Sequence, residues 1–402
     1  MDGEKGFLYA FGMCKKSLTL IGLWPKSKSS NYAEAVVVLR FTLTTLLIVS
    51  FVNIVQTIKL LAVWGDLDAM TDIISTANLP IAVAVFKMMV FYKHRKAFEP
   101  LLSFVEADWK SYKTDSDMTN MWSNAQTTRR ISMICVILGA GTVNGHLFIR
   151  LGQEAKILPG KDGATRLSFV DSYFPYDYSP TPIYEITWAI QYIGAALATC
   201  AYSGIYCLFV ALMLHLCGQF SNLRKKLRRV VTNEDDKRKF VEKLAEIVKR
   251  HENLNNFARV IEKIFNLMFL AEILGCTIQF CMQGFFLLTL SSKEGMGLPI
   301  LHILFMVIYV LHIGTHLFIC CYVSEKLQDE SVSIVRAAYN CEWYNLSAKD
   351  AMLLVMIMNR AKKPLRITAG KFCAFSLSLY AQIFKTSGGY LSMLLAVRDR
   401  IT

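Results

Sequence analysis

Seven apolar stretches dominate this chain, roughly 36–58, 73–92, 131–151, 183–214, 265–290, 297–324 and 373–397. Each is long enough to cross a bilayer, because about 20 helical residues at about 1.5 Å rise cover the hydrocarbon layer. Inside that layer every backbone polar group must be satisfied within the protein, which leaves helices as the spanning element for runs of this length. The chain is 54% hydrophobic and 19% charged, where a soluble domain has about 45–50% and about 25%. The expected fold class is an all-α polytopic membrane protein with seven transmembrane helices.

Charge orients those helices. Of the 44 Lys and Arg residues, 32 fall in the stretches 1–35, 93–130, 215–262 and 325–372. Only seven fall in 59–72, 152–182, 291–296 and 398–402, and five (Arg40, Lys87, Arg150, Lys263, Lys385) lie within or at the edges of spans. Cationic loops stay cytoplasmic, so the N-terminus is expected inside and the C-terminus outside. The net charge of +13 therefore reads as membrane topology, with no nucleic-acid partner. The opening MDGEKGFLYAFGMCKK has no continuous apolar core, so the first span is expected to act as its own insertion signal.

Along the chain, 1–35 is expected as a cytosolic segment and 36–214 as helices one to four. Arg40 sits where it can snorkel to the interface. Pro80 is expected to kink the second span, with Lys87 near that span's cytosolic end. Gly139, Gly141 and Gly145 in the third span permit close helix approach or leave room for a bound molecule. The external loop 152–182, rich in aromatics and proline, reads as an ordered lid or as an interfacial aromatic belt. Beyond the membrane, 215–264 carries Phe240, Leu244, Ile247, Val248, His251, Leu254, Phe257 and Ile261 at helical spacing, an apolar seam for cytosolic packing. Spans five and six occupy 265–324, and 325–372 adds more cytosolic helix. Glu272, deep in a span, is expected to make an interhelical or intersubunit hydrogen bond.

The segment Ala369–Arg398 is amphipathic. At about 100° per residue, Ser378, Gln382, Lys385, Gly389, Ser392 and Ala396 share one stripe with Met393 at its edge. Leu379, Tyr380, Ile383, Phe384, Leu391 and Leu394 lie towards the other side. Such a helix either faces water inside the bilayer or uses its polar groups as interhelical glue.

No catalytic constellation is present, so an enzyme is not expected. His312 and His316 share a helix face without HExxH spacing or a carboxylate neighbour, and read as satisfied transmembrane histidines. Phosphate loops, nucleophile elbows and kinase signatures are absent, and neither a metal nor a cofactor is implied. The eleven cysteines avoid the expected external loops, so no external disulfide framework is expected. The one sequon, at Asn345, falls on the cytosolic side.

The C-terminal third is recognisable. CCYVSEKL (320–327), the pair Trp343-Tyr344, LLVMIMNRAKKPLRITAGKF (353–372, with Pro364) and SLSLYAQIFKTSGGYLSMLLAVR (376–398) resemble the insect odorant receptors. Arg250-His251, Leu254 and Phe257 fit more loosely. The resemblance implies an odour-tuning subunit of a heterotetrameric ligand-gated cation channel, in the dendritic plasma membrane of an olfactory sensory neuron. It implies a shared co-receptor subunit as partner, a small volatile odorant, membrane lipid and no need of a G protein. It also implies that the seventh helix (373–397) lines the pore with a hydrophobic gate at Met393 and neighbouring Leu394. The cytosolic helices, including His251, Leu254, Phe257, Trp343, Tyr344 and Pro364, would form the subunit-contacting anchor. Lys385 on the pore stripe conflicts with cation conduction unless it faces a wide, screened vestibule, the preferred reading, or pairs with a carboxylate of a neighbouring subunit.

In this orientation the outer halves of spans two, three, four and six converge. They nominate Asn78, Ala82, Gly141, Gly145, Ile149, Tyr192, Ala196, Phe305 and Tyr309 as ligand contacts, although for each one taken singly core packing is the better explanation. Two alternatives are a G-protein-coupled-type chemoreceptor and a small-solute transporter. The first requires the opposite charge asymmetry and an external N-terminus. The second is disfavoured by the lack of inverted repeats and of paired intramembrane carboxylates.

Overall fold

The structure, a computed structural model, describes residues 3–25, 31–111, 114–154, 166–231, 237–292 and 300–401. It is built almost wholly of helices: α1 (Gly3–Leu20), α2 (Asn31–Ile48), α3 (Val55–Ala62), α4 (Leu67–Ile73), α5 (Leu79–Lys110) and α6 (Asp115–Glu154) come first. They are followed by α7 (Ile183–Arg228), α8 (Lys237–Ser292), α9 (Ile300–Tyr339), α10 (Ala348–Ala361) and α11 (Leu377–Ile401). Six helical stretches among the described residues are long and apolar enough to cross a membrane: Asn31–Ala62, Leu67–Lys110, α6, α7, Phe240–Leu288 and Ile300–Asn345. The seventh expected span, α11, is not among them. It is long enough at 25 residues but interrupts its apolar residues with polar ones, and packs along α8 and α9.

The first two spans are each interrupted by a π-helical segment, Val49–Ile54 and Ile74–Asn78. Such a widening usually marks a functional site. Pro80 does not kink a regular helix. It occupies the first turn of α5, just after the π segment, where its missing N–H leaves no interior hydrogen bond broken.

Several helices continue far beyond bilayer thickness. α8 has 56 residues, about 84 Å at 1.5 Å per residue. Its extension meets those of α5, α7 and α9, and α10 covers α9. Of the apolar seam, Phe240, Leu244, Ile247, His251, Leu254, Phe257 and Ile261 are buried. Val248 is exposed, because the packed stripe turns away from it. α1 inserts against α5, α6 and α7 through Phe7, Phe11, Leu18 and Ile21. It ends in a paired turn: Leu23 N donates to Leu18 O at 2.7 Å and Gly22 N to Thr19 O at 3.3 Å, with Gly22 at φ +72°. This left-handed cap favours glycine.

The AGKF motif is a miniature hairpin. β1 (Thr368–Ala369) pairs antiparallel with β2 (Cys373–Ala374), and both turn residues, Gly370 and Lys371, have positive φ. Phe372 N donates to Ala369 O at 3.0 Å, closing the tight turn. Gly370 N bonds Asn266 O at 3.1 Å, which ties the hairpin to α8. The hairpin leads into α11, whose first turn is capped by Glu325 (Leu377 N to Oε2, 2.7 Å) and by Ser376.

Candidate ligand cavity and amphipathic helix

A cavity of about 90 Å³ lies in the half of the helix bundle nearest the 166–182 loop. Its wall comes from five helical stretches and the loop. Thr76 and Ala77 of the second π segment join Pro80, Ile81 and Ala84 of α5. Thr142, Val143 and His146 come from α6, and Ala195, Ala198, Thr199 and Tyr202 from α7. Gln279 of α8, Phe305, Tyr309, His312 and Ile313 of α9, and Phe169 and Val170 of the loop complete it. Among the described residues no Asp, Glu, Lys or Arg lines it.

The described half of the loop packs over the cavity. Phe169 is buried and meets His146, Trp188 and Tyr192 edge-on at centroid distances of 5.1, 5.2 and 5.6 Å. Its carbonyl accepts from His146 Nε2 at 2.8 Å and from Arg150 Nε at 3.1 Å, and Arg150 also pairs with Asp171 at 3.0 Å. A carbonyl can only accept, so His146 carries its proton on Nε2 and leaves Nδ1 as an acceptor. Gln191 bridges the lid to the first span through Ser172 Oγ and Phe51 O. Residues 155–165 of the expected lid lie outside the described residues.

Of the nominated contacts, Phe305 and Tyr309 line the cavity. The others sit beside it. Asn78 bridges the first two spans, donating to Thr57 Oγ1 at 3.0 Å and accepting from Asn53 through its carbonyl. Gly141 and Gly145 seat α6 on α9: an added Cβ would come within 3.2 Å of Ile308 and 3.3 Å of Phe305. Ile149 is buried, Ala82 and Ala196 are half-buried, and Tyr192 donates to Asn144 Oδ1 at 3.2 Å while its ring supports Phe169. Each of these nominated residues lies one to three positions from a wall residue. Choosing the smallest residues finds the helix-packing face. The pairs Thr142/His146 and Tyr309/His312, polar groups in apolar spans, mark the cavity face instead.

Beneath the cavity lies a buried polar cluster. Lys87, far from snorkelling to an interface, forms an ion pair with Glu272. Its Nζ also donates to Tyr206 OH at 3.1 Å and lies 4.2 and 4.3 Å from the ring centres of Tyr202 and Tyr206. Tyr202 OH donates to Glu272 Oε1 at 2.6 Å and Cys276 Sγ to the same oxygen at 3.2 Å. His316 donates from Nδ1 to His312 O at 2.8 Å, yet its Nε2 and the Nδ1 of His312 have no hydrogen-bond partner. The two histidines are not fully satisfied within the protein.

On α11 one face packs on the core, while the exposed side carries the polar stripe together with Phe384, Tyr390 and Val397. Ile383 and Ser387 are buried against the core, with Ser387 Oγ donating to Thr277 O of α8 at 3.2 Å, and Phe384 stacks on Phe280 at 4.5 Å. Ser378, Gln382, Lys385, Gly389, Ser392, Met393 and Ala396 are exposed, Met393 at 65%, while Leu394 is half-buried. In the layer built by the helix extensions and α10, His251, Leu254 and Phe257 are buried within the chain, Pro364 is half-buried, and Trp343 and Tyr344 are exposed.

Residues 66–388 match the family described as 7tm Odorant receptor. The chain is similar to Odorant receptor 22c of Drosophila melanogaster, with 24% identity over 78% of each chain. It is similar to Odorant receptor 10 of Aedes albopictus, with 21% identity over 82% of this chain and 85% of the relative. A shorter match joins it to the Odorant receptor coreceptor of Aedes aegypti, 24% identical over 38% of this chain and 30% of that one. Its fold matches the olfactory receptor OR5 of Machilis hrabei in complex with eugenol, with TM-score 0.82, 15% identity and 98% of both chains covered. With a family match across 323 of its 402 residues and this shared seven-helix architecture, the chain belongs to the insect odorant receptor family.

Proposed function

We propose that this chain is the odour-tuning subunit of a heteromeric ligand-gated cation channel. The N-terminus and the layer built by α10 and the long extensions of α5 to α9 lie in the cytosol, as the concentration of Lys and Arg requires. A small volatile molecule occupies the cavity under the Phe169 lid, and α11 lines the pore with its exposed stripe. The observation that carries this reading is the pairing of a covered cavity, free of Asp, Glu, Lys and Arg among the described residues, with a long helix whose polar face no other described residue covers. The eugenol complex of the similarly folded OR5 supports the ligand assignment. The coreceptor among the relatives supports a co-receptor partner of the same architecture, met through Trp343 and Tyr344.

Gating follows from the geometry of α11. Met393, flanked by Leu394, closes the pore as an apolar ring that excludes water. Lys385, two turns towards the cytosolic end, faces a wide vestibule where salt screens it within about 10 Å. The plasma membrane of a sensory dendrite is the setting this activity requires. Recording from cells that express the chain with and without a co-receptor, over an odorant panel, tests the reading. Odorant currents are expected only from the pair. Currents from the lone chain overturn the heteromer, and silence in both overturns the channel. An N-terminal epitope accessible on intact cells overturns the orientation.

A further inference from the structure

We propose that His312 is the polar contact that sets ligand class, and that the cavity takes neutral molecules bearing a hydroxyl group on an apolar body. This rests on the ligand-binding reading above and names what that site selects. His312 lines the cavity and is buried, yet its Nδ1 has no hydrogen-bond partner. Ser203 Oγ, also buried, is unpartnered as well. The two side chains converge on one place: a Cβ on Gly139 would lie 3.2 Å from Ser203 Oγ and 3.3 Å from His312 Cε1. Orphaned polar atoms are rare in protein interiors, because an unmade hydrogen bond there is costly. One of them on the cavity wall, with the second packed beside it, describes a partner that the described residues do not supply.

The rest of the wall narrows its chemistry. A neutral imidazole offers one N–H and one lone pair, and Ser203 offers both functions. A hydroxyl, which donates and accepts, satisfies either imidazole tautomer. An ether or carbonyl satisfies only the one with N–H towards it, and a hydrocarbon satisfies neither. Charged ligands are disfavoured: among the described residues no Asp, Glu, Lys or Arg lines the cavity, and Lys87 and Glu272 below it already neutralise each other. At the far end Phe305, Phe169 and Val170 supply apolar surface for the body of the ligand.

The test uses matched probes on two skeletons: octanol, methyl heptyl ether, octane and octanoic acid, and the corresponding phenyl-ring series. Each is applied to the chain co-expressed with a co-receptor, and binding is read in parallel from thermal unfolding of the detergent-purified protein. On at least one skeleton the alcohol is expected to act about tenfold below its ether, the effect of one net hydrogen bond. His312→Phe is expected to abolish that ratio while leaving the ether response in place, and Ser203→Ala to reduce it. An unchanged ratio in His312→Phe, a preference for the acid, or equal action of alcohol and octane overturns the proposal. Binding of the alcohol without current would sink the channel reading while upholding the ligand class. Absence of both binding and current on both skeletons overturns the ligand class.

Discussion

Lys87 and Glu272 show how much a single buried pair can decide. Both are fully enclosed, and the two tyrosines that flank them satisfy the remaining donors and acceptors. Such a pair adds little net stability over a well-packed apolar alternative, but breaking it strands a charge at a cost of about 3–5 kcal/mol. Glu272→Gln is therefore expected to lower the thermal stability of the purified protein and its delivery to the cell surface. Lys87→Met combined with Glu272→Met is expected to recover most of that loss. A double variant as unstable as the single one would show that the tyrosine network, rather than the ion pair, carries the effect. Each residue stands out in the sequence as a charge within an apolar span. Their pairing does not, because 185 positions separate them and only the depth at which two helices cross brings them together.

Helix existence and reach are readable in the apolar runs, which mark the six most hydrophobic spans and the overhang of the fourth and fifth. Helix rotation is not. Each π segment advances the following residues relative to a regular helix, so the face that meets the cavity shifts from Asn78 and Ala82 to Ala77, Ile81 and Ala84. Glycine positions mislead for a second reason, since Gly141 and Gly145 spend their missing side chains on contact with α9. In α11 the period survives, because one face packs on α8 while the other is exposed among the described residues. Two substitutions test what that exposed face does. Lys385→Gln is expected to change relative cation permeability by less than about twofold if screening holds in the vestibule. A large shift in reversal potential would instead place Lys385 at the constriction. Met393→Ala, which would open the proposed apolar ring, is expected to raise the current flowing without odorant, and an unchanged leak would move the gate elsewhere.

At the scale of the whole molecule, the half that holds the cavity and the half built by the long helix extensions share continuous helices, so the two are mechanically joined. Asp108 is a junction of the extended half: it accepts from His215 Nε2 at 3.0 Å and from Arg250 at 2.6 Å, joining α5, α7 and α8. Burial pushes its carboxyl up, but the hydrogen bond and charge of His215 together with Arg250 outweigh that and hold it below the ordinary carboxylate value. His251, four residues before buried Asn255 on the same seam, is held below the ordinary imidazole value by burial and by the nearby Arg360 charge. The signs agree. For both groups the unfolded chain takes up protons at a higher pH than the native one, so stability falls as pH falls. His251 acts first, below about pH 6.5, and Asp108 only below about pH 4. Thermal unfolding of the purified protein is therefore expected to weaken between pH 7.5 and 5, and His251→Gln to flatten that slope without altering the steeper loss at lower pH. Asp108→Asn is expected to cost about 1.5–3 kcal/mol at neutral pH and to remove the low-pH step. If His251→Gln leaves the slope between pH 7.5 and 5 intact, proton uptake in that window belongs to another group and the seam around His251 is not what acid loosens.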